Sequence, residues 1–316
     1  MSQMQIELFG PIRVSCAGEP VAGLEARKAQ ELLAFLLLQR TRAYSREFLA
    51  ELLWGQRAPF QSKKYLRQVL WQVQRALASC GEGAGHAALL SIDGEWVRCN
   101  ERCDLWLDVA VFEEAYAQSE GIAGGDLDTR RAEGLRQAVQ LYRGDLLPGC
   151  YEDWCIFERE RLQTMYLAML DKLIDCCQEH GQYEIGLGYG ATILRFDRAR
   201  ERTHRRMMRL HYLAGDRTSA LRQYDQLVRA LREELDVKPS GRSTMLRDAI
   251  RADNLNTMPP RPPAGSPPNV GTTAHPASTG PADSRAHLRH LHQSLLHMQR
   301  QIRQEIEAIE LALAES

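Results

Sequence analysis

The chain has 316 residues, enough for two domains of ordinary size, with 44% apolar and 26% charged residues. This composition is typical of soluble globular proteins and excludes a fibrous or largely disordered chain. A net charge of −1 does not by itself indicate a nucleic-acid partner, so charge has to be considered segment by segment.

Three further features bear on compartment and class. The first ten residues lack a basic stretch followed by an apolar run, so no secretory signal is predicted. The longest apolar run, Leu32–Leu38, is far shorter than the roughly 20 residues that span a bilayer. The eight cysteines form neither a CxxC pair nor a zinc-like spacing with histidine, and we expect them to be reduced, buried thiols. A cytoplasmic protein without membrane contact or metal is therefore predicted.

Residues 4–103 combine short strands with helices. The predicted elements, in chain order, are strands over Gln5–Phe9 and Ile12–Cys16 and helices over Leu24–Gln39, Ser45–Leu53 and Gln61–Leu77. Ser45 suits the N-cap of the second helix, and Pro59 precedes the third. Three helices in this order, with a short turn between the last two, predict a helix-turn-helix.

The third predicted helix has two chemically different faces. One face is apolar at a spacing of about 100° per residue, and it carries Leu66, Val69, Leu70, Val73 and Leu77. The segment from Arg57 to Ser79 holds five basic residues and no acidic one, whereas a merely solvated face would include glutamates. Such a face suits the DNA major groove, where Arg bonds guanine, Gln bonds adenine and Lys pairs with phosphate. The candidate DNA-contacting residues on this helix are Lys63, Lys64, Arg67, Gln68, Gln72 and Arg75. Trp71 shares the face, and its role stays open between contact with a sugar edge, contact with a thymine methyl group and packing in a dimer.

Residues 88–100 predict a β-hairpin, because alternating segments flank the turn dipeptide Asp93-Gly94. This hairpin would form a wing whose Arg98 or turn backbone touches a phosphate or the minor groove. Arg46, at the start of the second helix, is a further candidate for backbone contact. A hairpin that only closes the domain is the alternative.

Residues 104–254 are almost entirely helical in period and contain an internal repeat. Gly181 and Gly215 open two similar segments 34 residues apart, which is the tetratricopeptide period. Gly186 and Ala220 would let paired helices approach closely. About three repeats and a closing helix after Pro239 are expected, with a plain helical bundle as the alternative.

A group of arginines in this region is a candidate site for an anionic effector, such as a nucleotide, through bidentate pairing. The candidates are Arg195, Arg198, Arg202 and Arg206. The alternatives are contact with DNA or polymerase, and a solvated face partly neutralised by Asp197 and Glu201.

The C-terminal part divides into a linker and a helix. Residues 255–283 contain eight of the thirteen prolines and predict a flexible linker. Residues 284–316 predict a coiled-coil helix with one stutter in its seam. The seam residues are Leu288, Leu291, Leu295, Met298, Ile302, Ile306, Ile309 and Leu313. Self-association as a dimer or tetramer is predicted, and docking of this helix on the repeats is the alternative.

Several motifs together resemble one bacterial family. Leu52–Gly55, Tyr65–Leu77 and Leu89–Asn100 look like an OmpR-type winged helix of the SARP regulators. Asp108–Glu113, Tyr142–Gly149, Arg209–Asp216 and Glu234–Pro239 resemble the bacterial transcriptional activator domain. The resemblance covers residues 4–253. It implies binding to double-stranded promoter DNA, often at direct repeats, a helical domain that supports dimerisation and activation, and RNA polymerase as a partner.

The predicted fold is mostly α: a winged helix-turn-helix with small β-sheets (1–103), tetratricopeptide-like repeats (104–254), a proline-rich linker (255–283) and a coiled-coil helix (284–316). No phosphate-binding loop, nucleophile–base pair or metal set is present, so neither an enzyme nor a cofactor is expected. The expected function is sequence-specific regulation of transcription, by activation, as a dimer or higher oligomer. The alternatives are a repeat scaffold whose winged helix binds protein or RNA, and a regulator gated by an anionic nucleotide.

Overall fold

The structure is a computed structural model that describes residues 4–78, 88–100 and 103–255. Its strands are β1 (Met4–Glu7), β2 (Arg13–Cys16), β3 (Glu19–Pro20), β4 (Tyr44–Ser45), β5 (Leu90–Asp93), β6 (Trp96–Cys99) and β7 (Leu105–Leu107). Its helices are α1 (Arg27–Leu38), α2 (Arg46–Trp54), α3 (Pro59–Ala78), α4 (Asp108–Ser119), α5 (Thr129–Leu141), α6 (Asp153–Glu179), α7 (Tyr183–Phe196), α8 (Glu201–Leu213), α9 (Arg217–Leu235) and α10 (Gly241–Arg251). None of the helices in these ranges is long and apolar enough to cross a membrane.

Two small sheets frame the first three helices. The first sheet has the order β3-β2-β1-β7, with β1 antiparallel to β2 and parallel to β7. Met4 and Ile6 alternate into the core, as the sequence pattern of this strand predicts. The second sheet has the order β4-β6-β5 and contains the predicted hairpin. The prediction of a winged helix-turn-helix with small sheets, followed by helices, is confirmed.

Two of the turns between neighbouring helices in the helical part are centred on glycine. Gly181 follows α6 and Gly215 follows α8, and both have a positive φ, of 69° and 82°. At each turn the next residue's amide bonds a carbonyl five positions earlier, from Gln182 to Cys177 and from Asp216 to His211. This is the glycine-terminated helix end of a Schellman motif. The two predicted repeat turns therefore share one geometry, and α10 is the predicted closing helix; the tetratricopeptide assignment itself stays a prediction.

Small residues bring these helices close together, as predicted for Gly186 and Ala220. A Cβ added at Gly186 would lie 2.9 Å from a Leu210 methyl, and Ala220 is fully buried. Gly190 is in closer contact still, because its added Cβ would meet Met207 Cγ at 2.7 Å. Gly190 was not among the residues predicted to allow this close approach.

Residues on both sides of the predicted boundary at 103/104 pack together. Strand β7 follows that boundary and completes the first sheet. Asp108, which begins α4, accepts hydrogen bonds from the backbone amides of Leu8 and Phe9. The Phe9 ring packs edge-on against Phe112, with centroids 5.0 Å apart. The winged helix and the first activator helices thus share one hydrophobic core.

The predicted linker (255–283) and coiled-coil helix (284–316) lie outside the described residues, apart from residue 255. The eight seam residues and the prediction of self-association through them are therefore not tested by the structure.

Candidate nucleic-acid interface

The turn between α2 and α3 is held by two serines. Ser45 caps α2, as predicted, because its Oγ accepts a hydrogen bond from the Phe48 amide at 3.1 Å. Ser62, buried in the first turns of α3, donates to the carbonyl of Trp54 at 3.1 Å. This bond ties α3 to the C-terminal end of α2, so the direction of α3 is fixed by the scaffold behind it.

Helix α3 divides into the two predicted faces. Leu66, Leu70, Val73 and Leu77 are buried, and Val69 is half-buried. The helix begins at Pro59 rather than at Gln61, because proline at the first helical position needs no amide partner. The earlier start places Phe60 within the helix.

The predicted contact residues of α3 do not all point the same way. Lys63, Lys64, Arg67, Gln68 and Arg75 are exposed. They are spread over about 140° of the helix surface at about 100° per residue, with Arg67 near the middle. We call this exposed surface of α3 the basic face. Within it, the Lys63 ammonium pairs with the Glu47 carboxylate of α2 at 3.0 Å.

Gln72 is a correction to the predicted set. Its side-chain amide donates a hydrogen bond to the Gly23 carbonyl at 2.9 Å, and the residue is half-buried. It lies about 140° around the helix from Arg67 and about 40° outside the edge of the basic face at Gln68. Gln72 therefore fastens α3 to the segment before α1 and is not placed to read a base. Gln74, which is exposed and about 20° from Arg67, was not among the predicted residues.

Exposed aromatic rings lie among the cations. Trp71 is 58% exposed, and the Arg75 guanidinium lies over its ring, 5.1 Å from the centroid. The Arg57 guanidinium lies 5.7 Å from the centroid of Tyr65 in the same way. Such stacking restricts the rotamers of an arginine and so orients its planar group of donors. Phe60, at 82% exposure, was not identified from the sequence.

The wing is the hairpin of β5 and β6. Its turn is Gly94–Glu95, since Asp93 pairs with Trp96, and Gly94 has a positive φ of 56°. The turn therefore lies one residue later than predicted. Trp96 and Arg98 alternate with buried neighbours and are exposed on one side of β6. Trp96 was missed, and only the alternation along this strand signalled it.

Arg46 is less accessible than Arg98. Its backbone amide donates to the Glu95 carbonyl at 2.8 Å, which attaches the wing turn to the start of α2. The residue is half-buried, and its Nε atom has no hydrogen-bond partner among the described residues. Hydrogen bonds thus attach α2 to the wing at one end and to α3 at the other.

The arginines predicted as an effector site have different environments. Arg206 is a correction, because it is buried and its guanidinium pairs with Asp171 and, at 2.8 Å, with Asp175. Both terminal nitrogens of its guanidinium are therefore paired with carboxylates of α6. Arg198 lies 3.2 Å from Glu233 but stays exposed. Arg195 and Arg202 are exposed, and their effector role stays a prediction.

Known proteins resemble this chain in sequence and in fold. The family model "Bacterial transcriptional activator domain" matches residues 107–251. Regulatory protein AfsR of Streptomyces coelicolor is 27% identical over 79% of this chain, which corresponds to 24% of AfsR. Regulatory protein DnrI of Streptomyces peucetius is 27% identical over 79% of this chain and 93% of its own length. Transcriptional regulator RedD of Streptomyces coelicolor is 25% identical over 75% of this chain and 67% of its own length.

A solved structure, Mycobacterium tuberculosis EmbR in complex with a low-affinity phosphopeptide, superposes with a TM-score of 0.62. It is 18% identical, over 80% of this chain and 66% of that chain, so it supports the fold alone. The match to the activator domain begins at Leu107, the last residue of β7, and the three regulators each align with 75–79% of the chain. The chain therefore carries a match to the bacterial transcriptional activator domain over residues 107–251 and is similar to transcription regulators of the SARP family.

Proposed function

We propose that this chain activates transcription by binding specific promoter DNA with the basic face of α3. The observation that carries the proposal is that face itself: Lys63, Lys64, Arg67 and Arg75 are exposed on a helix with no acidic residue. The opposite face is buried in the winged-helix core, so this is the side of α3 available to a partner.

The dimensions of α3 suit the major groove. An α-helix with its side chains is about 10–12 Å wide, and the B-DNA major groove is about 12 Å wide. Arg67 and Gln68 would then face base edges, while Lys63 and Lys64 would pair with phosphates. Arg98 of the wing would add a phosphate or minor-groove contact, and Arg46 would act mainly by supporting the wing.

Three finer points belong to the same proposal. RNA polymerase is the expected protein partner of an activator, and the cytoplasm is where promoter DNA would be met. We further propose that the chain binds as a dimer or higher oligomer through the seam of residues 288–313. Sizing the full chain against a chain that ends at residue 283 tests this last point, because an unchanged mass would remove the seam's role.

Selection from randomised duplexes with the full chain tests the proposed function. We expect one site to be enriched, and Arg67→Ala to weaken binding to it by about 1–3 kcal/mol, or roughly 5- to 150-fold. Arg229→Ala is the matched control, since it removes one exposed positive charge from α9 instead of α3. Failure to enrich any duplex, or an equal loss for Arg229→Ala, would contradict the proposal.

If no duplex is enriched and the full chain instead binds a protein or an RNA in a separate binding assay, the repeat-scaffold alternative is favoured.

A further inference from the structure

Two large aromatic side chains are exposed on the basic face of α3. Phe60 is 82% exposed and Trp71 is 58% exposed, whereas Leu66 and Leu70 of the same helix are almost fully buried. Neither ring is needed to complete the core beneath α3. Single exposed apolar residues are ordinary on a protein surface, so the significance of these two rings comes from their position on the basic face.

The two rings lie on one stripe of the helix. They are 11 residues apart, which at about 100° per residue is three turns plus about 20°. Arg67 lies between them, about 20° from Phe60 and 40° from Trp71. At about 1.5 Å per residue, the two positions are separated by about 16 Å along the helix axis.

Trp71 is also coupled to a cation. The Arg75 guanidinium lies 5.1 Å from the centroid of its indole ring. More than half of the Trp71 surface nevertheless stays accessible. A partner can therefore contact the ring and the stacked guanidinium together.

Major-groove chemistry narrows what these rings would meet. Among the base edges in that groove, the other recognition groups are hydrogen-bond donors and acceptors, and the apolar one is the C5-methyl group of thymine. An apolar ring placed against a donor or acceptor would leave that group unpaired, whereas a ring placed against the methyl group removes both from water.

We propose that Phe60 and Trp71 determine sequence specificity by each contacting the 5-methyl group of a thymine. A helix lying along the inclined major groove advances about 4.5 Å along its own axis per base-pair step, so the two thymines would lie about three to four steps apart, with the bases read by Arg67 between them. This inference rests on the proposed function, because it assumes that α3 lies in the major groove.

Replacement of single thymines by deoxyuridine tests the inference, because it removes the methyl group and leaves the base pairing intact. The full chain would be titrated against its selected duplex with each thymine replaced in turn. We expect two sensitive positions about three to four steps apart, each with about a fourfold loss of affinity, the value of one buried methyl group.

Variants assign each position to its ring. Phe60→Ala should abolish the uracil effect at one of the two positions and Trp71→Ala at the other. Both residues are exposed, so the variants should fold. Phe157→Ala, which removes a 65% exposed ring from α6, is the matched control and should keep both effects.

The outcomes separate this inference from the function on which it rests. A chain that binds its selected site but is indifferent to uracil at every position overturns the inference and leaves the proposed function standing. Uracil effects that persist in both variants overturn it too, since other residues would then read the methyl groups. A chain that selects no duplex contradicts the proposed function itself.

Discussion

Asp108 provides the sharpest test of how the winged helix and the activator domain are joined. The residue is buried, and its carboxylate accepts hydrogen bonds from three backbone amides. Oδ1 accepts from Leu8 at 2.9 Å and from Val109 at 2.7 Å, and Oδ2 accepts from Leu8 at 2.8 Å and from Phe9 at 3.0 Å. The Asp108→Asn substitution keeps one acceptor oxygen and replaces the other by an NH₂ donor.

Either orientation of the new amide leaves one backbone N–H without an acceptor. If the oxygen replaces Oδ1, the Phe9 amide loses its partner; if it replaces Oδ2, the Val109 amide does. One orphaned buried donor costs about 1–3 kcal/mol. Burial raises the pKa of Asp108 despite its amide donors, so removal of the charge offsets part of this loss.

Thermal unfolding of the two proteins measures the effect. A loss of about 1–3 kcal/mol corresponds to a fall in Tm of roughly 2–12 °C for a domain of this size. The matched control is Asp128→Asn at the half-exposed N-cap of α5, where the side chain accepts from the Arg131 amide and asparagine caps nearly as well as aspartate. Equal falls in Tm for the two variants would refute the reasoning.

Three further predictions concern pH, packing and charge. Burial lowers the pKa of His204 below 6.5. The stability that the neutral imidazole contributes is therefore present above pH 6.5 and is lost as the pH falls toward the lowered pKa. Between about pH 7.5 and pH 5.5, the free energy of unfolding should fall less in His204→Gln than in the unmodified chain, and equal falls would contradict this. Gly190→Ala should lower Tm relative to Gly188→Ala, because the new methyl meets a methionine side chain at 2.7 Å whereas Gly188 has open space; equal Tm values would contradict the close approach. Glu47→Gln should raise affinity for every duplex, because it releases Lys63 from its ion pair, and unchanged non-specific binding would contradict that pairing.

The local features of the interface could be predicted from the sequence. Ser45 is a good helix cap whatever surrounds it, and the period of the leucines and valines in α3 fixes which side is buried. Asp93-Gly94 also correctly predicted the hairpin, although its observed turn lies one residue later, because Asp93 pairs with Trp96. These signals depend on neighbours within a few positions along the chain.

The features that were missed depend on residues distant in sequence. The sequence predicts a base contact for Gln72, but its side-chain amide donates a hydrogen bond to the carbonyl of Gly23, 49 positions away. The sequence predicts an effector contact for Arg206, but its guanidinium pairs with the carboxylate of Asp171, 35 positions away. Phe60 was missed for a local reason, because the predicted helix began at Gln61, after Pro59, whereas the observed helix begins at Pro59 itself.

The central claim is that the basic face of α3 binds specific duplex DNA, and the affinity of two α3 variants across salt concentrations tests it most directly. Lys64→Ala should weaken binding to the selected and a scrambled duplex alike, and should reduce the slope of log affinity against log salt by about 1. Arg67→Ala should weaken binding to the selected duplex far more than to the scrambled one. If both variants bind both duplexes with the affinity and salt dependence of the unmodified chain, the basic face is not the DNA-binding surface.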